Sequence, residues 1–482
     1  MREIANLEPK AVWEIFDQIT QYPRPSKKEE KIVAYVEEFA KNLGYPIIKD
    51  SIGNLLIRRP ASPGFENKPS FSIQAHLDMV CEKNRDVEFD FDNDPIQTYI
   101  DGDWVKAKGT TLGADNGMGL AMGMAVLANK TLQMGQFELL CTLDEETGLT
   151  GAIQLGTDLL QSKILINLDS EEDGHFTIGC AGGLNTKGIY KFNAEPAPKD
   201  LVYYEVGIKG LRGGHSGIEI NDGRGCSLKL LSHLLYVLNT KLEIRLASIE
   251  GGNKHNAIPR EAFAVVGIDA HNLTKFESII TEYSQNLEKE WRRKEPLFAL
   301  TSEKNTNPAN VIDKKTANAI ISSFFAMPHG VIRMSPDING LVQTSTNFAV
   351  CRTEKNSVEI LTSQRSLIES EKFMIGDMVK NIIDFSGATA DAGDGYPAWE
   401  PNMDSNLMVK AVEVFKKQYQ KEPVIETIHA GLECGLVGDK YPGMDMISFG
   451  PTLKEVHTPD EKIQISTVKN CWNLLLGIIA SI

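Results

Sequence analysis

Hydrophobic positions in the first third of the chain alternate between a helical spacing and a strand-like spacing. Ser26 and Glu29 form a capping-box pattern, and apolar residues at helical spacing follow it: Ile32, Val33, Val36, Phe39, Ala40 and Leu43. Four short β-rich runs come next: NLLIRR, FSIQAHLDMV, FELLCTLD and KILINLD. Gly/Ala-rich helical stretches such as NGMGLAMGMAVLANK lie between them. Strands that alternate with helices predict a layered α/β domain with a mostly parallel sheet.

The pattern changes after residue 185. Here the patterns predict a strand in LVYYEVGIKGLRGGHSG, a helix over 224–242, and two further strands in KLEIRLASIEGG and EAFAVVGIDAH. A similar order recurs after residue 311. From residue 388 the chain returns to an alternation of strands and helices, with an amphipathic helix predicted over 404–419 and a terminal helix over 466–482. We therefore predict a catalytic domain formed by residues 1–185 and 388–482. An α+β lid domain of two related halves, residues 186–387, is inserted into it.

Composition narrows the class of protein. A chain of 482 residues is too long to fold around a single hydrophobic core of ordinary size, so we expect at least two domains. The net charge of −15 comes without a basic cluster, which argues against nucleic acid or a membrane surface as a partner. We find no apolar run long enough for a membrane span and no signal-peptide pattern at the start. Seven dispersed cysteines without a CxxC pair indicate reduced thiols and a cytoplasmic protein.

Acidic and imidazole side chains stand where predicted strands end. The run LLCTLDEETGL passes from apolar residues into Asp144, Glu145 and Glu146. In AHLDMV, His76 and Asp78 face the same way if the run is a strand. Each motif alone also has a structural explanation. Three carboxylates can form a solvated turn, and HxD can hold a structural histidine.

The same predicted sheet edge collects further ligand-type residues. Asp115 lies in GTTLGADNGMG, just before a helix that it could simply cap, Asp169 ends KILINLD, and His457 follows the strand MISFG. Ligands of α/β sheets bind outside the carboxyl ends of the strands. Two imidazoles and three carboxylates at that edge suit two zinc-like cations with one carboxylate bridging: His76, Asp115, Glu146, Asp169 and His457. Glu145 is then free to act as a general base.

The order of these motifs resembles the di-zinc metallopeptidases of the aminoacylase/carboxypeptidase family. The resemblance extends over nearly the whole chain, including the inserted lid. Four phrases are similar to those of the bacterial aminoacyl-histidine (Xaa-His) dipeptidases within that family: GTTLGADNGMG, TLDEETGLTGA, NLDSEEDG and HAGLECG.

The resemblance implies a role for each residue at the sheet edge. Asp115 would bridge two zinc ions, and a cis peptide bond would follow it. His76 and Asp169 would be the other ligands of one zinc, and Glu146 and His457 those of the second zinc. Asp78 would orient His76, and Glu145 would be the catalytic base and acid.

The resemblance also assigns roles in the lid. His215 of GGHSG would hold the scissile carbonyl of the partner subunit's substrate, which makes a homodimer through the lid part of the mechanism. Asn256 of GGNKHNAIPREA would contact substrate, and Gly431 of HAGLECG is a further candidate contact. Relatives with a shorter lid carry an arginine where this chain has Asp269. Arg365 in TSQRSLIES is therefore expected to bind the peptide carboxylate, since a guanidinium fits it bidentately.

The expected activity is hydrolysis of dipeptides, including β-Ala-His and other Xaa-His, by Glu145-assisted attack of a metal-bridging water. Two Zn²⁺ per subunit are expected, for which Co²⁺ or Mn²⁺ can substitute. Two alternatives within the family are a tripeptide aminopeptidase and an N-acyl amino-acid amidohydrolase. A non-catalytic peptide- or metal-binding protein would lack Glu145 or a ligand, and none is missing. In GIKGLRGG the glycine spacing does not match a phosphate loop.

Overall fold

The computed structural model describes residues 3–336, 338–393 and 395–482. The chain divides into two compact units. Unit 1 comprises residues 1–180, 399–427 and 432–482, and unit 2 comprises residues 181–398 and 428–431. The return of residues 428–431 to unit 2 is not part of the division drawn from the sequence. That unit 2 consists of two related halves stays a prediction.

The helices of the described residues are α1 Lys10–Ile19, α2 Glu30–Leu43, α3 Ala114–Ala128, α4 Glu145–Gly148, α5 Thr150–Gln154, α6 Ser227–Leu242, α7 Leu273–Trp291, α8 Lys314–Ala326, α9 Glu369–Phe385, α10 Asn406–Tyr419, α11 Glu433–Lys440 and α12 Ile465–Ser481, with 3₁₀ turns at Glu3–Asn6 and Ala270–Asn272. Helices α10 and α12 confirm the two helices predicted near the end of the chain to within two residues. None of the described helices is long and apolar enough to cross a membrane.

The strands are β1 Ile47–Lys49, β2 Leu55–Arg59, β3 Phe71–His76, β4 Thr98–Asp101, β5 Trp104–Ala107, β6 Phe137–Thr142, β7 Ile164–Asn167, β8 His175–Cys180, β9 Gly182–Lys191, β10 Ala194–Pro196, β11 Leu201–Lys209, β12 Gly214–His215, β13 Arg245–Gly251, β14 Ala257–Ile258, β15 Ala262–Asp269, β16 Ala299–Lys304, β17 Asn310–Ile312, β18 Gly330–Met334, β19 Val342–Thr353, β20 Ser357–Ser366, β21 Thr389–Ala392, β22 Val424–Ile428, β23 Asp445–Ser448, β24 Leu453–Lys454 and β25 Lys462–Gln464.

The main sheet of unit 1 has the strand order β1-β2-β6-β3-β7-β23-β8-β22. Strands β6, β3, β7 and β23 are parallel to their neighbours in this run. The pairs β1–β2, β2–β6 and β23–β8 are antiparallel. The α/β sheet is thus mixed, and the predicted parallel order describes its centre. That centre brings the carboxyl ends of β3, β6 and β7 to one edge.

Helix α3 is buried along almost its whole length, because its sequence is apolar or small on every side. Its glycines allow this close packing. A Cβ on Gly119 would lie 2.7 Å from the carbonyl oxygen of Leu168, at the end of β7. Asp115 lies in the first turn of α3, so packing of the helix against the sheet places this carboxylate at the sheet edge.

The capping box predicted at Ser26 is wrong. Helix α2 has Glu29 at its N-cap, and the Glu29 side chain makes no cap hydrogen bond. The Ser26 hydroxyl donates to Asp78 Oδ2 over 2.7 Å, and Glu29 Oε1 accepts from the backbone N–H of Asp144 over 3.0 Å. For Ser26 a tertiary partner has therefore replaced the local cap, since a serine side chain bonds whichever polar group the fold brings near. Glu29 Oε1 combines the tertiary bond with a local one, from the backbone N–H of Lys27 over 3.0 Å.

The main sheet of unit 2 has the order β16-β11-β15-β13-β19-β20-β9-β21, with antiparallel pairing and β18 alongside β19. Within it, Ser345 of β19, Arg365 of β20 and Gly183 of β9 are direct cross-strand partners. Residues directly opposite one another share a face of the sheet. The seven cysteines form no disulfide among the described residues, and six of them are buried.

Candidate active site

The parallel centre of the unit 1 sheet collects the predicted site residues. His76 is the last residue of β3, directly opposite Thr142 of β6, and Asp169 follows β7 by two residues. Glu145 begins the short helix α4 that follows β6. The site is therefore built at one sheet edge, where the sequence predicts it.

Asp115 lies between the two histidines. Its Oδ1 lies 3.1 Å from His76 Nε2, and its Oδ2 lies 3.1 Å from His457 Nε2. Asp169 Oδ1 is 3.5 Å from the same His76 nitrogen, and Glu146 Oε2 is 3.1 Å from the His457 nitrogen. Asp115 thus belongs to two groups of three possible ligands, His76–Asp115–Asp169 and Asp115–Glu146–His457, in each of which the ligand atoms lie within 4.8 Å of one another.

These donor groups fit two divalent cations. Each group offers one imidazole nitrogen and two carboxylates, the ligand types that zinc takes in catalytic sites. Glu146 Oε1 is buried and has no hydrogen-bond partner among the described residues, which is costly for a carboxylate unless a cation faces it. The peptide bond between Asp115 and Asn116 is cis, as the resemblance implies.

Asp78 connects His76 to the turn that carries the two glutamates. Its Oδ1 lies 3.3 Å from His76 Nδ1 and also accepts the backbone N–H of Glu145 over 3.0 Å. Its Oδ2 accepts the backbone N–H of Glu146 over 3.2 Å. A carboxylate on the second nitrogen of a histidine ligand fixes the ring orientation and tautomer. Asp78 therefore holds His76 and the turn of Glu145 and Glu146 together.

Asp144 shapes the turn itself. Its φ is +49°, in the left-handed region, and its carboxylate accepts the hydroxyls of Thr147 and Thr150. Glu145, the next residue, is partly buried beside the ligands. Burial and the neighbouring carboxylates of Asp169 and Glu433 raise the pKa of Glu145, against the opposing charge of His76. A carboxylate in such a setting holds a proton well once it has accepted one.

The pKa values of the candidate ligands follow from their mutual contacts. Burial alone would lower the pKa of His76, but the charge of Asp169 and hydrogen bonds to Asp115, Asp169 and Asp78 raise it. Burial would raise the pKa of Asp115, but hydrogen bonds to His457 and His76 lower it. The three carboxylates and two imidazoles therefore form one interdependent charged cluster.

Glu461 is a site residue that the sequence analysis missed. Its Oε2 accepts the backbone N–H groups of Leu112 (2.7 Å) and Gly113 (3.0 Å), and its Oε1 accepts those of Ala114 (2.8 Å) and Asp115 (3.4 Å). Glu461 is 2% exposed. One buried carboxylate thus holds the start of α3, a favourable place for negative charge. The signal in the sequence was its position in HTPDE, four residues after His457.

Replacing Glu461 with glutamine should weaken metal binding, because glutamine keeps the size but loses the charge that gathers four N–H groups. Changing a residue that orients a ligand typically lowers metal affinity ~10–100-fold. We expect that loss in competition with a chromophoric chelator, with the exposed Glu455→Gln in the same loop as the control. Unchanged metal affinity of Glu461→Gln would contradict this positioning role.

Glu433 is a second buried carboxylate near the cluster. It is 0% exposed, its Oε2 accepts the hydroxyl of Thr142 over 2.7 Å and the side-chain amide of Gln74, and burial raises its pKa to about 7. Its Oε1 has no partner among the described residues. Glu433 therefore adds to the negative potential that raises the pKa of Glu145.

In unit 2, His215 and Asn256 line a cavity of about 950 Å³. The Nδ1 of His215 accepts the backbone N–H groups of Gly217 (3.3 Å) and Ile218 (3.1 Å). Burial and the charge of Arg365 lower the pKa of His215 to about 4. The imidazole is therefore neutral with its proton on Nε2, which leaves that N–H group to donate a hydrogen bond.

Arg365 of unit 2 is 7% exposed and has neutral imidazoles around it. Its charge contributes to the lowered pKa values of His215, His255 and His429, in each case after burial. His429, not assigned from the sequence, has Nε2 2.7 Å from Ser345 Oγ and a pKa of about 3. A buried guanidinium among uncharged rings is a setting that suits an anion.

Comparisons with known proteins give a consistent picture. Residues 72–481 match the sequence profile of peptidase family M20/M25/M40. The chain is 42% identical over 482 residues to the cytosol non-specific dipeptidase of Escherichia coli, covering 100% of this chain and 99% of that protein. The crystal structure of aminoacylhistidine dipeptidase from Vibrio alginolyticus superposes with a TM-score of 0.93 at 41% identity, covering 100% of this chain and 98% of that one. Aminopeptidase PepT from Bacillus cereus shares the fold, with a TM-score of 0.58 at 15% identity and 98% of each chain covered.

Proposed function

This chain belongs to peptidase family M20/M25/M40, and we propose that it is a two-metal dipeptidase whose general base is Glu145. The observation that carries the proposal is the cluster at the sheet edge of unit 1. There Asp115 is shared by two groups of possible ligands. Glu145 belongs to neither of these two groups, although it could also group with His76 and Glu146, and we assign its carboxylate to proton transfer. Full-length identity of 42% to a dipeptidase supports the same activity.

The residues that would hold the two cations are His76 with Asp169, Glu146 with His457, and Asp115 between them. Zinc fits the nitrogen and carboxylate donors, and cobalt or manganese can replace it. When bound, such cations polarise a carbonyl oxygen and lower the pKa of water.

Glu145 moves the protons of the reaction. Its carboxylate accepts a proton from the attacking water and passes it to the leaving amine as the peptide bond breaks. Burial and the neighbouring carboxylates, which raise its pKa, help it to keep the proton between these steps. Asp78 accepts the backbone N–H of Glu145 and also contacts His76, so it keeps the base at a constant position relative to His76.

Recognition of the substrate falls to unit 2. We assign Arg365 to the terminal carboxylate of the dipeptide, since its guanidinium is buried, donates to a hydroxyl, and has no acidic partner within 4.0 Å among the described residues. His215, with Nε2–H available, is assigned to the scissile carbonyl oxygen, and Asn256 and Gly431 to other contacts with substrate. Xaa-His substrates, including β-Ala-His, are proposed as preferred, in line with the name of the Vibrio protein.

The activity is tested by hydrolysis of a peptide panel by the purified protein. We expect turnover of Ala-His, β-Ala-His and other dipeptides, and rates at least ~10-fold lower on tetrapeptides, because Arg365 would capture the carboxylate of the second residue. Equal rates on dipeptides and tetrapeptides would contradict the assignment of Arg365. Turnover of N-acetylated amino acids in place of dipeptides would favour an amidohydrolase.

We further propose a cytoplasmic homodimer in which His215 serves the partner subunit's site. The cysteines, which form no disulfide among the described residues, and the cytosolic location in the name of the Escherichia coli relative support the compartment. The dimer rests on the family resemblance, in which lid domains pair.

Mixing two inactive variants tests the dimer. If Glu145→Gln and His215→Ala subunits form hybrids, each hybrid regains one complete site, and activity should return. A lost oxyanion donor typically costs ~10²–10³ in rate, so recovery stands well above either parent. Hybrids that form, shown by mass spectrometry, without any rescue would mean that His215 does not act across subunits.

A further inference from the structure

Tyr396 occupies a gap in the unit 2 sheet directly beside Arg365. Ser345, Arg365 and Gly183 form a row across three neighbouring strands, and Gly183 has no side chain to continue the row. The ring of Tyr396 stands in that place. A Cβ on Gly183 would lie 2.6 Å from the Tyr396 hydroxyl oxygen, so any other residue there would displace the ring.

The backbone of Tyr396 is held from both sides. Its N–H donates to the carbonyl of Gly183 over 2.9 Å, and its carbonyl accepts the N–H of Gly183 over 3.0 Å. The same carbonyl accepts Nζ of Lys372 over 2.8 Å. Lys372 is 1% exposed and also pairs with Glu369. Burying a lysine charge is costly unless polar partners compensate it. The Tyr396 carbonyl is one of these partners, so the bond holds the Tyr396 backbone in place.

A second glycine closes the opposite side of the ring. A Cβ on Gly431 would lie 2.9 Å from Tyr396 Cε2 and 3.3 Å from its hydroxyl oxygen. Gly431 was expected from the sequence to contact substrate. In the structure, the absence of a side chain at Gly431 leaves room for the Tyr396 ring, which explains the glycine without any substrate contact.

The hydroxyl of Tyr396 fixes one end of the Arg365 guanidinium. Arg365 Nη1 donates to it over 2.9 Å. Nε of Arg365 is buried and has no hydrogen-bond partner among the described residues. A guanidinium that is 7% exposed and tethered at one nitrogen keeps its remaining donors in a fixed direction.

We propose that Tyr396 is a positioning residue that orients Arg365 for the C-terminal carboxylate of the substrate. This inference rests on the proposed function, which assigns that carboxylate to Arg365. Gly183 and Gly431 serve it by leaving room for the Tyr396 ring. The tyrosine hydroxyl thus contributes to selecting a peptide with a free carboxylate over one that is amidated or extended.

The test is Tyr396→Phe, which removes only the hydroxyl, assayed on Ala-His and on Ala-His amide. We expect kcat/KM for Ala-His to fall ~10-fold, mainly through a higher KM, because a hydrogen bond to a charged group is lost. The amide has no carboxylate, so its kcat/KM should fall no more than in the control Tyr190→Phe. Tyr190 is another tyrosine of unit 2, more deeply buried than Tyr396, and its hydroxyl bonds Ser323 over 3.0 Å.

The double variant separates positioning from general damage. If Tyr396 acts through Arg365, adding Tyr396→Phe to Arg365→Ala should change kcat/KM for Ala-His less than twofold, since coupled residues are not additive. Full additivity of the two substitutions would overturn the inference, as would equal losses on Ala-His and its amide in Tyr396→Phe. Normal kinetics of Tyr396→Phe would overturn it as well.

The failure of the proposed function gives a different result. If Arg365→Ala lowers kcat/KM equally for Ala-His and its amide, Arg365 does not bind the carboxylate, and both the assignment and the role of Tyr396 fall. If Arg365→Ala selectively impairs Ala-His but Tyr396→Phe matches Tyr190→Phe, the assignment of Arg365 stands and only the role of Tyr396 is wrong.

Discussion

Replacing Glu145 with glutamine is expected to lower kcat on dipeptides ~10²–10⁴-fold while the metal content stays at the wild-type level. Glutamine is the same size and keeps the backbone N–H that Asp78 accepts, but it cannot take a proton from water. Activity is measured on Ala-His, and metal by atomic emission on the dialysed protein. The exposed Glu172→Gln, in the loop after Asp169, controls for loss of a surface charge.

The neighbouring glutamate gives the contrasting variant. Glu146→Gln should lose metal as well as activity, because the Glu146 carboxylate faces His457 and has a buried oxygen with no other partner among the described residues. If Glu145→Gln lost metal in step with activity while Glu146→Gln kept it, the two glutamates would have to exchange roles.

Replacing Asp115 with alanine is expected to remove both cations and with them all turnover above that of the chelated enzyme. The Asp115 carboxylate lies 3.1 Å from a nitrogen of each histidine, so its loss leaves both ligand groups with two members. A catalytic zinc normally has three protein ligands. The measurements are bound metal per chain and kcat, with Asp92→Ala, an exposed aspartate paired with Lys28, as the control.

One outcome would separate bridging from simple ligation. If Asp115→Ala kept one tightly bound metal per chain, Asp115 would serve a single cation, and the shared position seen in the two ligand groups would not be functional. Retention of both metals would contradict any ligand role for Asp115.

The sequence was sufficient for the residues that follow strands. Parallel strands must present their carboxyl ends at one edge, so the spacing of His76, Asp169 and the Asp144–Glu146 run predicts their convergence. Periodicity also located the long amphipathic helices, because their buried faces repeat every three to four residues.

The residues that position the site could not be predicted from local sequence patterns, because their partners lie far away in the chain. Glu461 bonds N–H groups about the start of α3, and its contact with Asp115 joins residues 346 positions apart. The place of Tyr396 beside Arg365 depends on the room that Gly183 and Gly431 leave for its ring. Ser26 was misassigned for the same reason, since Asp78 competes with the local cap for its hydroxyl. A local pattern carries no record of such contacts.

The most direct test of a two-metal dipeptidase is a metal titration of the chelated protein. Zinc is added stepwise to metal-free enzyme, and bound metal is followed by calorimetry alongside hydrolysis of Ala-His. We predict no turnover without metal, binding that saturates at two zinc ions per chain, and full activity at that point. Undiminished dipeptide hydrolysis by the metal-free protein, or binding that saturates below one zinc ion per chain with full activity, would contradict the account.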